Sequence, residues 1–169
     1  MTYPAPSFLV DAQSDPVAIR VQGRASFQNS GSIKDFFAEM LGQGKRRFMM
    51  DFDGCTSMDS TFLGVLAGAA LQLRKVEPPG NLVLCRLATR NHELVTNLGL
   101  HRLLTVDPGC EGRELPPSTA LPKNTPLSDE AASARQVLEA HENLILADAA
   151  NRRKFQDVLA FLKNRIDAG

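Results

Sequence analysis

The sequence predicts an α/β fold: a mixed β-sheet of four to five strands with helices packed on it, followed by a C-terminal helical extension. Short apolar runs alternate with longer segments of helical periodicity, which is typical of parallel strands joined by helices. The first two apolar runs are close enough to pair as an antiparallel hairpin, which makes the sheet mixed. A proline-punctuated stretch then separates this domain from a last helical region.

The chain opens with a predicted hairpin and a helix. Residues 7–11 form the first predicted strand, and residues 17–22 form the second because they alternate between apolar and more polar side chains. The pattern breaks at 23–29. Residues 30–41 then space their apolar side chains for one face of a helix.

The segment 48–75 is the centre of the predicted domain. Apolar residues 48–52 form a buried strand, and the Asp-Gly pair at 53–54 predicts a turn after it. The Asp-Ser-Thr run at 59–61 favours a helix start, because a side-chain oxygen there accepts a hydrogen bond from an unpaired backbone N–H. A largely apolar helix follows, which suits packing on a sheet with cover on another side.

Two glycines interrupt this helix. Gly64 and Gly68 are four residues apart and so lie on one face. Each costs roughly 1 kcal/mol relative to alanine in a helix interior. The cost indicates either close approach of a strand or a partner to this face, or tight internal packing alone.

The sequence after this helix predicts a strand, a short helix and a second strand. A turn at 77–80 contains two prolines, which cannot continue the preceding helix. Residues 81–86 form a buried strand, and a helix from 89 or 91 ends at Leu98 before a glycine. A less regular strand follows at 103–106.

The start of the central helix carries a motif that resembles the STAS family. It reads Met58-Asp59-Ser60-Thr61-Phe62-Leu63-Gly64, where the family has Asp-Ser-Ser/Thr-Gly-Leu-Gly after a strand and a short loop. The family fold is shared by bacterial anti-sigma-factor antagonists and the cytoplasmic tails of sulphate transporters. Phe62 departs from the motif, since glycine is usual there, and it either packs into the core or makes an exposed contact. The resemblance covers about residues 8–110.

The resemblance implies that a partner kinase phosphorylates Ser60 and that the partner binds around it. The implied partner-binding residues are Asp59, Ser60, Thr61, Phe62, Gly64, Arg24 and Ser26. Arg24 and Ser26 stand where phosphorylated members commonly carry acidic residues, which could change the kinase, or Arg24 could hold the phosphate. A phosphate adds about 1.5 to 2 negative charges, which a helix N-terminus accepts and Asp59 repels.

We predict that the chain has three regions. They are a STAS domain at 1–110, a Pro-rich linker at 111–127, and a helical segment at 128–167. The last segment favours a pair of helices, 128–146 and 149–167, over one continuous helix. Its apolar face is too large to stay in water, so it packs on its own domain, on a second copy as a homodimer, or on another protein.

Composition and residue spacing argue against several other functions and kinds of site. Lysines and arginines number 19, as do the acidic residues, so nothing electrostatic favours nucleic acid. The three cysteines lack CxxC spacing, which argues against a disulfide framework or zinc site and for reduced thiols. No histidine stands in a metal or nucleophile motif. With no signal peptide or membrane span evident, the expected location is the cytoplasm, and no cofactor or metal is expected.

These observations predict a non-enzymatic anti-sigma-factor antagonist-like regulator. It acts by binding an anti-sigma factor or related serine kinase, and phosphorylation of Ser60 switches the binding. The alternatives are a STAS scaffold subunit of a signalling or lipid-transport complex, and a module that binds a small ligand such as a nucleotide or lipid.

Overall fold

The protein is described from a computed structural model that covers residues 7–107, 119–121 and 130–168. The strands are β1 (Phe8–Asp11), β2 (Val17–Ala25), β3 (Arg47–Met58), β4 (Asn81–Cys85), β5 (Thr105–Asp107) and β6 (Thr119–Ala120). The helices are α1 (Ser30–Gly42), α2 (Ser60–Lys75), α3 (Thr89–Asn97), α4 (Glu130–Ala147) and α5 (Asn151–Ala168), with a 3₁₀ turn at Leu100–Arg102. In these residues, no helix is long and apolar enough to cross a bilayer.

The strands form a single mixed sheet, in the order β5-β4-β3-β2-β1-β6. Strand β1 is antiparallel to β2 and to β6, while β2, β3, β4 and β5 are parallel to one another. This confirms the predicted α/β fold with its opening hairpin. Because parallel strands end at the same edge, the ends of β2 and β3 bring the β2–α1 loop beside the start of α2.

Strands β2 and β3 are longer than predicted. We expected a turn at residues 53–54, but β3 continues to Met58, and β2 continues through Gly23 to Ala25. The pairing absorbs two register shifts in this stretch, and Gly23 has a φ of +70°, a left-handed conformation that glycine adopts without strain. The glycines therefore mark bulges in a continuing ladder, and α2 begins directly after the strand.

Helix α2 is buried on almost every turn. The sheet lies on one side of it, and α4 covers another. Its partners in the main core include Phe8 of β1 and Phe52 of β3, both fully buried. This double cover explains why α2 lacks the polar face of an ordinary surface helix.

The C-terminal segment forms two helices that fold back on the domain. Helix α4 packs along α2, and α5 packs on α4, with a break at residues 148–150. Of the predicted linker 111–127, the structure describes only 119–121, where β6 adds to the sheet edge at β1; the other linker residues lie outside the described part. The apolar face of α4 is therefore covered within the same chain.

Asn151, the first residue of α5, ties this segment to the domain. It is fully buried, and its Nδ2 donates hydrogen bonds to the Leu98 carbonyl at 2.9 Å and the Leu144 carbonyl at 2.8 Å. We expect Asn151→Ala to cost about 2 kcal/mol of unfolding free energy, because each of the two carbonyls loses a hydrogen bond and the Leu144 carbonyl keeps only the one from the Asp148 backbone N–H. Hydrogen exchange in this variant should rise more in α5 than in β3, and an equal rise in both elements would contradict this role.

Two of the three cysteines, Cys55 and Cys85, lie in the described part of the chain, and their sulfurs are in different states. Cys85 is disulfide-bonded, which corrects the expectation that all three thiols are reduced. An odd number of cysteines leaves room for one pair, and spacing in the sequence does not tell which sulfurs approach in space. Cys55 is free and buried, and burial raises the pKa of its thiol, so the unreactive neutral form dominates near neutral pH.

Candidate functional site

Asp59 joins two segments at the edge of the sheet. It is the N-cap of α2, where its Oδ1 accepts a hydrogen bond from the Phe62 backbone N–H at 2.9 Å. Its Oδ2 accepts a second from the Phe27 backbone N–H at 2.8 Å, in the loop between β2 and α1. One carboxylate thus fixes the helix start and holds that loop against it.

Ser60, the first residue of α2, is hydrogen-bonded to a histidine of the extension. Its Oγ lies 2.8 Å from Nε2 of His141 in α4. The other ring nitrogen, Nδ1, lies 2.7 Å from the Val137 carbonyl, which can only accept. In a neutral imidazole Nδ1 therefore carries the hydrogen, and the Ser60 hydroxyl donates to Nε2. Phe155 of α5 meets the same ring edge-on at 4.8 Å.

A cleft of about 490 Å³ lies next to this hydrogen bond. Its walls come from the start of α2, from α3 and from α5. They comprise Met58, Asp59, Ser60, Leu63, Leu94, Asn97, Leu98, Lys154 and Phe155. Ser60 is therefore partly buried at a cleft between the sheet domain and the extension, to which α5 contributes Lys154 and Phe155.

The other predicted partner-binding residues of α2 are buried. Thr61 is 4% exposed, and Phe62 is fully buried in the core, stacked on Phe8 and edge-on to Phe52. Phe62 thus packs inward rather than forming an exposed contact. Gly64 lies under Ala140 of α4. While the chain has this conformation, none of the three is open to a partner.

The predicted partner-binding residues at the end of β2 and in the β2–α1 loop stay at the surface. Arg24 is exposed, and Ser26 is partly buried and accepts a hydrogen bond from the Gln28 backbone N–H at 3.3 Å. Between them and α1 stands Phe27, whose 53% exposure is high for a large apolar side chain. Phe27 was not among the residues singled out from the sequence. Its signal is an aromatic residue inside an otherwise polar loop.

The carboxylates of this region do not form a shared site. Asp51 is 1% exposed and pairs with Arg86 through both nitrogens of the guanidinium edge, while Arg20 lies 3.7 Å away. The hydrogen bonds that Arg86 donates to Asp51, together with the negative charge of Asp51, raise the pKa of Arg86 above its usual value. Asp53 is exposed and Asp59 caps α2. Within the described residues, no cluster suited to a metal ion occurs.

His141, Asn143 and Phe155 complete the site, although no motif in the sequence indicates a function for them. His141 follows Ser60 by 81 residues, and no motif surrounds it. The available signal was indirect: a face with glycines at 64 and 68 needs a close neighbour, and a second helical segment with small residues can supply one.

Comparisons with known proteins agree with this architecture. None of the curated protein sequences matches the chain significantly. Among solved structures, the Bacillus cell fate determinant SpoIIAA in its phosphorylated form superposes with a TM-score of 0.50 at 20% identity, over 59% of this chain and 90% of that one. The anti-sigma factor antagonist SpoIIAA in its unphosphorylated form gives a TM-score of 0.47 at 20% identity, over 53% and 81%.

The family comparison is more direct. The sequence profile described as "Mlab, STAS domain" matches residues 8–105, from the first residue of β1 to the first of β5. The match includes the start of α2 with Asp59 and Ser60, and it ends before α4 and α5. Because it spans more than half of the 169 residues, this chain belongs to the STAS family.

Proposed function

We propose that this protein is an anti-sigma-factor antagonist-like regulator that acts by binding a partner protein. Its partner is an anti-sigma factor or a related serine kinase, and phosphorylation of Ser60 by that kinase ends the binding. The protein itself catalyses no reaction in this scheme. The observation that carries the proposal is the place of Ser60, directly after the Asp59 cap at the N-terminus of α2.

This position suits a reversible change of charge. The first backbone N–H groups of α2 and the positive end of its dipole favour an added phosphate, so α2 can keep its fold. Asp59 next to it makes the local charge strongly negative once phosphate is added. A partner that docks at this helix end then meets repulsion it did not meet before.

The neighbouring end of β2 and the β2–α1 loop supply a docking surface. Phe27 gives it an exposed aromatic ring, Arg24 gives it a positive charge, and Asp59 holds both segments together through the Phe27 N–H. Aromatic residues, phenylalanine included, and arginine are enriched at the core of protein–protein interfaces. SpoIIAA, which has this fold, has been obtained in a phosphorylated form.

The test is phosphopeptide mapping by mass spectrometry on the protein from its own cells, resting and stressed. We expect phosphate on Ser60 that changes with condition, and none on Ser57, an exposed serine three residues earlier that serves as the matched control. Ser60→Asp should weaken binding of the co-purifying partner by about a hundredfold, roughly 3 kcal/mol, while Ser60→Ala keeps binding. If peptides that contain Ser60 are detected in every condition and none carries phosphate, the proposal is wrong.

A second candidate function follows from the cleft beside Ser60. Its walls are mostly apolar, through Leu63, Leu94 and Leu98, with Lys154 as a cation. Such a site fits a small ligand with an apolar body and an anionic group. Nucleotides and lysophospholipids are the probes, and a saturable rise in melting temperature that Lys154→Ala abolishes would favour this candidate over the first.

A further inference from the structure

The face of α2 that carries Ser60 is a docking surface for a helix. Ser60, Gly64 and Gly68 follow one another at intervals of four residues, so they form one stripe along the helix. Along this stripe the extension places His141 against Ser60, Ala140 against Gly64, and Asn143 against Gly68. Each turn of the stripe is therefore in contact with α4.

Gly64 sets how closely the two helices approach. A Cβ at this position would overlap the Ala140 backbone carbonyl and would stand 2.7 Å from the Ala140 Cβ. The contact is backbone on backbone, so no rotation of a side chain can relieve it. A glycine here costs α2 about 1 kcal/mol of helix propensity, and the close packing of α4 offsets that cost.

Two hydrogen bonds add to this contact. Asn143 Nδ2 donates to the Gly64 carbonyl at 3.3 Å, and the Ser60 hydroxyl is engaged with His141, which is 3% exposed. A protein kinase needs a serine hydroxyl free to give its proton to the kinase's own catalytic aspartate. While α4 is docked, the Ser60 hydroxyl is engaged by His141 and its side chain is only partly exposed, which hinders that approach.

The contacts around this seam are weak ones. Lys34 and Glu139 form an ion pair at 2.8 Å with side chains 42% and 56% exposed, and exposed pairs of this kind contribute little. Arg102 and Asp148 are 4.0 Å apart at the surface. The two helices are therefore held by the α2–α4 seam, by Leu144, which is fully buried in the main core, and by Asn151. Contiguous units of a protein can open at a lower free energy than the whole fold, and α4 with α5 form such a unit at the end of the chain.

We propose that α4 and α5 are a cis-acting cover that controls access to Ser60. In the closed form α4 occupies the α2 face in place of an external partner, and Ser60 is protected from the kinase. In the open form the stripe is available, and it fits a partner helix that presents a small residue to Gly64 as Ala140 does. This inference rests on the proposed function, because it gives the regulation of the same serine.

Access to position 60 can be measured without any kinase. In the full chain, Ser60→Cys introduces a thiol whose reaction with a bulky maleimide is followed by mass spectrometry of the peptide that contains it. Cys55, buried and with a raised thiol pKa, is the slow internal reference. Adding Gly64→Ala should speed labelling at position 60 at least tenfold, because α4 can no longer close.

Gly68→Ala is the matched control. A Cβ there would meet the Asn143 Nδ2 at 2.6 Å, the end of a side chain that can turn away, so α4 stays docked and labelling stays slow. Ala140→Leu opens the same contact from the other helix and guards against an effect of Gly64→Ala on α2 itself. Circular dichroism of all variants should remain that of the folded protein.

The outcomes separate this inference from the proposed function. Fast labelling in the Ser60→Cys protein without any second substitution, or no change with both Gly64→Ala and Ala140→Leu, would overturn the cover. If the cover is found, phosphate mapping on the Gly64→Ala protein from its own cells follows. A rise in phosphorylated Ser60 supports both proposals, whereas an open cover with Ser60 unmodified leaves the cover standing and removes the kinase switch.

Discussion

Replacing Phe62 with alanine is expected to lower the free energy of unfolding by about 4 kcal/mol. Phe62 is fully buried at the start of α2. Its ring stacks on Phe8 with centroids 6.1 Å apart, and it meets Phe52 edge-on at 6.3 Å. Removing it leaves a cavity between β1, β3 and α2 that the two remaining rings cannot fill. Chemical denaturation followed by circular dichroism measures the effect.

Phe27→Ala is the control for this prediction. Phe27 is an aromatic residue linked to the same end of α2 through Asp59, but its ring is 53% exposed. Its truncation should change the unfolding free energy by less than about 0.5 kcal/mol. If the two variants lose the same small amount, then Phe62 is not a core residue. The pair also separates stability from binding, since only Phe27 lies on the proposed docking surface.

The contrast between these rings shows what the sequence could and could not predict about the site. Asp59 as the helix cap and Ser60 at the helix start follow from local chemistry, because the atoms that cap a helix lie within three residues of each other. The direction of Phe62 depends on what α2 packs against. The surface on which α2 packs includes β1, which is more than 50 residues away in sequence.

The fold, too, was predictable where local patterns determine it and not where long-range packing does. Alternation and breaker residues indicated β1, β2, α1, β4 and α3 to within a few residues, and they gave the mixed sheet. The ends of β2 and β3 were not predictable, because a glycine in a bulge and a glycine in a turn look alike in sequence. Ser60 and His141 are brought together only by the packing of α4 on α2, which no local pattern encodes.

Arg86→Ala is expected to destabilise the protein by about 2 kcal/mol, because it leaves the buried Asp51 carboxylate without its main partner; the 42% exposure of the Arg86 side chain keeps the cost below that of a fully buried pair. Asp51 is 1% exposed, and Arg86 approaches it with two guanidinium nitrogens. Arg20, at 3.7 Å, makes a longer contact and cannot replace both hydrogen bonds. Arg86 has a φ of +55°, and alanine keeps a Cβ in that left-handed conformation, so the backbone strain does not change.

Two further variants decide whether the buried charge is the cause. Arg47→Ala removes an arginine whose ion pair with Asp15 is 3.9 Å long and exposed on both sides, so it should cost less than about 1 kcal/mol. Adding Asp51→Asn to Arg86→Ala removes the unpaired charge and should recover part of the lost stability. If the double variant is no more stable than Arg86→Ala, the cost comes from lost packing of the arginine stem, and the charge of Asp51 contributes little to it.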